Sequence, residues 1–222
     1  MNKKHKDYMA HIDKNKSAGP FKQEKKTLEE LLANAKKYED KKFINVLYKK
    51  SNELRSKLTS GQIHAIRKYT KNSLDSGYVP MKRRFYYQLN NYLSGITNNL
   101  YNSKEFYEEY INNISSAIKK FKIKESFLSF RGSDEDEFPE EVGKIVLRKR
   151  FVSASIDIKQ AFDKKYKIVI VSEPYTRCAF LGNLSRVPEQ KEVLFDIGVE
   201  YEIINKEGNT TYVRALKWLL KN

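Results

Sequence analysis

The chain has 222 residues, with 43 Lys and Arg against 28 Asp and Glu and a formal net charge of +15 at pH 7. That length suits one large domain, or one domain with a helical extension, and 15 Tyr with 12 Phe supply bulk for a core, which excludes a disordered composition. The charge favours an acidic partner such as nucleic acid, anionic lipid or a phosphate-rich ligand, and the single cysteine, Cys178, excludes an internal disulfide and a multi-cysteine metal site.

Residues 1–26 are polar and Lys-rich, broken by Ser17-Ala18-Gly19-Pro20, and read as a basic flexible arm. Residues 27–222 read as one domain, helical over 27–125 and strand-rich over 126–222. Thr27-Leu28-Glu29-Glu30 is a capping box that opens a helical pattern reaching about residue 48. A second helix is expected over about 42–57, on Phe43, Val46, Leu47 and Leu54. A third starts at Thr59 or Ser60 and ends near 70–72, with Ile63, Ile66 and Tyr69 on one face. The stretch 73–80, with Gly77 and Pro80, is a loop. Helices over about 82–93 and 103–121 complete the first half.

The pattern then changes. Strands are expected at 127–130, 143–147, 151–155, 167–172, 192–195, 199–205 and 210–219. An acidic turn region lies at 133–141, and a short helix at 158–162. Gly198 and Lys206-Glu207-Gly208-Asn209 supply turns, the latter a hairpin signal. Helices first and strands afterwards define an α+β class. Neither a phosphate-loop motif nor a Gly-rich dinucleotide fingerprint is present. No apolar run approaches the roughly 20 residues of a membrane span, and residues 1–30 hold no apolar core of a signal peptide. A secreted or host-targeted effector and a cytoplasmic protein both stay open.

Three weak signals carry chemistry. Phe130-Arg131-Gly132 ends an apolar strand with a guanidinium suited to bidentate phosphate contact, next to a residue that lets a ligand approach the backbone. Ser153-Ala154-Ser155 puts two hydroxyls on one strand face. Gln190-Lys191-Glu192 puts an amide and a carboxylate two apart, on the same face if the segment is a strand. Pro188 fits the turn before that strand. A carboxylate there can stabilise a cationic transition state or hold a substrate hydroxyl. Each signal alone also reads as an ordinary strand end or a solvated charge run.

In this order along one α+β chain, the set resembles the arginine–serine–glutamate class of mono-ADP-ribosyltransferases. Within it, the bacterial exoenzymes that modify Rho GTPases are the most similar. The likeness runs from about residue 58 to the C-terminus. It includes Tyr69-Thr70 at a helix end and Leu89-Asn90-Asn91-Tyr92-Leu93-Ser94 in place of a segment ending in Leu-Arg. The implied fold is a helical layer followed by a mixed or antiparallel β-sandwich core of the ADP-ribosyltransferase type. The implied reaction is cleavage of NAD and transfer of ADP-ribose to a protein, without a metal and by a monomer. Glu192, Gln190 and Ser153 are then the catalytic residues, and Arg131, Gly132, Ser155, Phe162 and Asn90 bind NAD.

Two positions depart from the family pattern: Ala154 replaces a Thr, and Ser94 stands where a second phosphate-binding Arg is expected, leaving Arg83 or Arg84 as its substitute, with Arg84 taken as the candidate. Gln190 matches family members that modify asparagine of Rho proteins, and also a branch that modifies DNA guanine. The loop 180–189 would read the acceptor; it carries Asn183, Arg186 and Val187, with no aromatic in its last part. Transfer to a nucleobase and a non-enzymatic basic nucleic-acid-binding protein are the alternatives.

Overall fold

The computed structural model describes residues 26–71, 84–96, 100–161 and 163–216. The basic arm, the loop expected at 73–80 and the end of the last expected strand fall outside them. Among the described residues, five helices come first. Thr27 caps α1 (Leu28–Asn34): its hydroxyl accepts the Glu30 N–H while its own N–H donates to the Glu30 carboxylate. The helical pattern expected to reach residue 48 stops at Asn34. Lys36 gives its N–H to Ser126 O (2.8 Å) and accepts the Leu128 N–H (2.9 Å), so pairing with the first strand overrides local helix propensity. Asp40 restarts the helix by capping α2 (Lys41–Lys57). A second capping box, Thr59 with Gln62, opens α3 (Ser60–Tyr69). Then come α4 (Phe85–Leu93) and α5 (Lys104–Ile118), the latter capped by Ser103.

Eight strands follow: β1 (Phe127–Ser133), β2 (Ile145–Arg148), β3 (Val152–Ser155), β4 (Tyr166–Ser172), β5 (Cys178–Phe180), β6 (Glu192–Phe195), β7 (Val199–Glu207) and β8 (Thr210–Ala215). The three-residue β5 has no counterpart among the expected strands, being too short to show a period. The hydrogen-bonded order is β2-β7-β8-β4-β1-β3-β6-β5. β4 and β8 are parallel and the other pairs antiparallel, making a mixed sheet.

The sheet has two parts. β1 and β4 share a seven-residue ladder, yet β1 meets β3 only through the pair Phe130↔Ser155. Beyond that pair the parts diverge and fold over one another. Phe195 of β6 lies 5.9 Å, ring to ring, from Tyr201 of β7. In a flat sheet these strands, five steps apart at about 4.8 Å each, would be separated by roughly 24 Å. The Asp196–Gly198 corner carries the chain from one part to the other, and the space between holds Phe138, Val193, Phe195, Tyr201, Ile203 and Val213, all buried. This is the α+β sandwich architecture expected from the sequence.

Strand alternation divides the remaining burial. Phe127, Ile168 and Ile170 join the main core with α2 to α5, while Leu128 and Val171 pack on Leu31 of α1 and on Ala35, its C-terminal cap.

Candidate active site

The divergence of β1 from β3 opens a cleft lined by Phe130, Arg131, Gly132, Ser153, Ala154, Ser155, Gln160, Ala161, Gln190 and Glu192. Six of the expected site residues (Glu192, Gln190, Ser153, Ser155, Arg131 and Gly132) therefore converge. A roomier groove of about 260 Å³ lies between α3 and α5, lined by Ser60, Gly61, His64, Glu109, Tyr110 and Asn113. It lacks the buried carboxylate and strand hydroxyls of the cleft.

Glu192 opens β6, where its partner in register is Ser155 of β3. Its carboxylate leans to the diagonal neighbour: the Ser153 hydroxyl donates to Glu192 Oε1 at 2.6 Å. Diagonal positions are about 7–8 Å apart along a sheet, within reach of a long side chain. Glu192 is only 6% exposed. Burial is the main influence on it and pushes its pKa above the ordinary carboxylate range; the hydrogen bond from Ser153, the Arg131 charge and the buried Ser185 hydroxyl pull the other way. The carboxylate is thus desolvated, oriented by hydroxyls and placed in a cleft, the arrangement that makes a fixed anion effective against a developing cation. Alternation explains the missing threonine. Ala154 packs into the apolar core opposite Val193, so its side chain is not the one directed at Glu192.

Gln190 belongs to the turn expected ahead of the strand, so the same-face condition of a strand does not apply to it. It ends a 3₁₀ turn (Pro188–Gln190) and is not on the strand. Lys191 follows in the left-handed conformation, φ 48° and ψ 48°. Gln190 and Glu192 share the cleft because of this turn, and not through the two-residue period of a strand.

Arg131 sits where the two sheet parts separate. Its Nη1 donates to Ser153 O (2.8 Å), bracing β1 against β3, while Nε and Nη2 form a bidentate pair with Glu137 (2.8–3.2 Å). Arg150 Nη2 lies 3.2 Å from the other oxygen of the same carboxylate. Burial alone would raise the pKa of Glu137, but the Arg131 charge and hydrogen bonds, with help from Arg150, lower it to about 2. One acid, only 7% exposed at its side chain, thereby holds two guanidinium groups. Glu137 belongs to an acidic run that reads as solvated turn. Nothing in its local sequence separates it from Asp134, Glu135 or Asp136, and Arg150 carries no motif.

Asn90 does not line the cleft. Its amide clamps the Phe151 backbone, accepting the N–H (3.2 Å) and donating to the carbonyl (3.3 Å), and also donates to Tyr69 Oη (3.2 Å). It therefore sets the start of β3, two residues before Ser153. Arg84 stands at the N-terminal cap of α4 and is not among the described residues that line the cleft. Ser94 Oγ donates back to Asn90 O (2.8 Å). Phe162 lies outside the described residues. Of the Tyr-Thr pair, Tyr69 is buried; desolvation first and the Glu192 charge second raise its pKa, keeping its hydroxyl protonated. Thr70 Oγ1 accepts the Arg186 N–H (3.0 Å), tying α3 to the loop ahead of Glu192. Among the described residues, no group of three or more His, Cys, Asp and Glu could hold a metal ion, and no helix is long and apolar enough to cross a membrane.

The sandwich's two sheet parts separate at an arginine, and a serine-oriented buried glutamate faces the gap, an arrangement suited to stabilising a cationic sugar. The sequence pattern of the family described as ADP-ribosyltransferase exoenzyme matches residues 47–220, and the chain belongs to that family. It is an NAD-dependent ADP-ribosyltransferase of the toxin exoenzyme type. Compared by sequence alone with curated proteins, the chain matches none. Solved structures share its fold. Plx2a, an ADP-ribosyltransferase toxin from Paenibacillus larvae, superposes with a TM-score of 0.63 at 20% identity, over 82% of this chain and 98% of that one. The ADP-ribosylating toxin BECa of a binary enterotoxin of C. perfringens, solved with NADH, gives 0.65 at 22%, over 82% of this chain and 50% of that one. C3stau2 from S. aureus, solved with NAD, gives 0.57 at 17%, over 88% of this chain and 100% of that one.

Proposed function

We propose that this chain transfers ADP-ribose from NAD to an asparagine side chain of a Rho-type GTPase. The observation that carries the reading is the 2.6 Å hydrogen bond from Ser153 to a buried Glu192 in a cleft shared with Gln190 and Arg131. The cleft suits NAD chemically: the Arg131 guanidinium for a phosphate, a side-chain-free backbone at Gly132, and a desolvated anion.

Cleavage of the nicotinamide–ribose bond sends the bonding electrons to nicotinamide and leaves positive charge on the ribose, as in glycoside hydrolysis. Glu192 faces that charge and holds the 2′-hydroxyl. Ser153 keeps the carboxylate in place. Arg131 holds a phosphate through the N–H groups that Glu137 and Ser153 leave it, with Arg150 as a second cation on the same carboxylate. Ser155 supports β3, and contact with nicotinamide is the role that the family resemblance implies for Phe162, which lies outside the described residues. The acceptor nitrogen then forms the new bond to the ribose carbon and releases one proton, with Gln190 orienting the acceptor amide.

The test is incubation of the full chain with labelled NAD and purified RhoA, beside Glu192→Gln and a parallel reaction on DNA. A RhoA band that is absent with the variant supports the reading. Label on DNA alone moves the acceptor to a nucleobase, and absence of both label and nicotinamide release refutes the proposal.

A further inference from the structure

The residue between Gln190 and Glu192 is held by contacts that the chemistry above does not use. Lys191 is one of two non-glycine residues with positive φ among the described residues. L-residues with larger side chains rarely adopt that conformation, and it persists only where the surroundings enforce it. The surroundings here come from three parts of the chain. Lys191 Nζ lies 2.6 Å from Asp157 Oδ2 and 4.0 Å from the centre of the Tyr38 ring. Its carbonyl accepts the Ile156 N–H (3.2 Å), and its own N–H closes the turn onto Pro188 O (3.0 Å).

Asp157 is itself fixed. It is 5% exposed, its N–H donates to Ser155 Oγ (3.0 Å), and its Oδ1 accepts the Lys159 N–H (3.0 Å), capping the turn Ile158–Gln160. That turn places Gln160 and Ala161 in the cleft wall beside Gln190 and Glu192. The Lys191–Asp157 pair therefore joins two segments of that wall, and its cation rests on an aromatic ring from the α1–α2 connection. The pair is mostly shielded from water, Lys191 being 20% and Asp157 7% exposed at the side chain, so it is screened less than a surface pair.

We propose that Lys191 is a positioning residue for the acceptor: pinned to Asp157 and Tyr38, it fixes the turn that holds Gln190 at the cleft mouth, and so favours transfer to the acceptor over transfer to water. This rests on the transferase reading above and on Gln190 as the residue that meets the acceptor. In both reactions the ribose–nicotinamide bond breaks, with its electrons leaving on nicotinamide. In transfer, an acceptor nitrogen forms the new bond and loses a proton; in hydrolysis, a water oxygen does so. Glu192, Ser153 and Arg131 serve both. Only the first requires an oriented amide beside the acceptor, so loss of the pin separates the two rates.

The experiment uses the full chain with labelled NAD, measuring nicotinamide release without acceptor and labelling of RhoA. Lys191→Gly keeps the left-handed backbone and deletes the pin. Asp157→Asn keeps the shape and weakens the pair, and Lys191→Arg retains a cation for Asp157 and Tyr38. The expected result is hydrolysis within about threefold of wild type and labelling down about tenfold or more in the Gly and Asn variants, with most of the labelling recovered in the Arg variant. Parallel loss of both rates, or no change in either, overturns the inference. Wild-type hydrolysis without RhoA labelling refutes the Rho acceptor alone. The same ratio is then read on the protein that becomes labelled in a cell lysate, and if no protein is labelled the inference falls too. Absence of wild-type hydrolysis removes the transferase reading itself.

Discussion

Ser153→Ala removes one oxygen and leaves the fold otherwise filled. Ser153 is partly exposed in the cleft, and its strand is fixed by backbone pairing to β6 and by the Asn90 clamp on Phe151. The lost contact is a 2.6 Å hydrogen bond to the Glu192 carboxylate. A hydrogen bond to a charged group contributes about 1.5–3 kcal/mol, and each 1.4 kcal/mol or so is about tenfold in rate. If the bond serves the transition state, kcat falls about 10- to 100-fold while KM for NAD changes by less than about threefold. The variant also leaves a signature in pH. Ser153 stabilises the charged carboxylate, so its loss raises the pKa of Glu192 further and moves the acid limb of the kcat profile upward. Ser153→Thr retains the hydroxyl and most of the activity. The assay is nicotinamide release from NAD between pH 4.5 and 8, roughly spanning the carboxylate and histidine ranges, with a melting curve for each variant. An Ala variant of unchanged Tm whose kcat and acid limb both match wild type would refute the role given to this hydroxyl.

Glu192→Gln loses transfer yet melts higher at pH 7. The folded-state pKa of Glu192 is raised, so the fold binds its proton more tightly than the unfolded chain; stability falls as pH rises through that pKa, and the charge is a cost above it. A lower Tm for this variant, by calorimetry, would contradict the sign. Glu137 acts in the opposite direction. Its pKa is held at about 2, so its contribution is present above the ordinary carboxylate range and lost as pH falls towards 2. The interval from 4.5 to about 2, at about 1.4 kcal/mol per pH unit, comes to about 3 kcal/mol. Urea unfolding from pH 5 to 2 shows that slope in wild type and lacks it in Glu137→Gln. Arg150→Gln raises KM for NAD with little change in kcat, because it loosens the Glu137 carboxylate that positions Arg131, whose phosphate contact serves ground and transition states equally. The shift of Tm on adding NAD shrinks with it, and an unchanged KM would leave the positioning of Arg131 to Glu137 alone.

The helices of the first half were legible because their signals are local. Capping boxes at Thr27 and Thr59 and the Ser103 cap mark helix starts through contacts within one turn. The strands of the second half other than β5, and the order Arg131, Ser153, Glu192, were legible for the same kind of reason, since period and motif are properties of neighbouring residues. The tertiary structure decided the rest. It ended α1 at Asn34 because Lys36 pairs with a strand some ninety positions later. It brought Gln190 beside Glu192 through a turn held by the Lys191–Asp157 pair. It spent Asn90 on the Phe151 backbone, and drew Glu137 out of an acidic run to hold Arg131 and Arg150. Hydrogen bonds and ion pairs between distant segments leave no period and no spacing in the chain, because the energy that selects them exists only once those segments have been brought together.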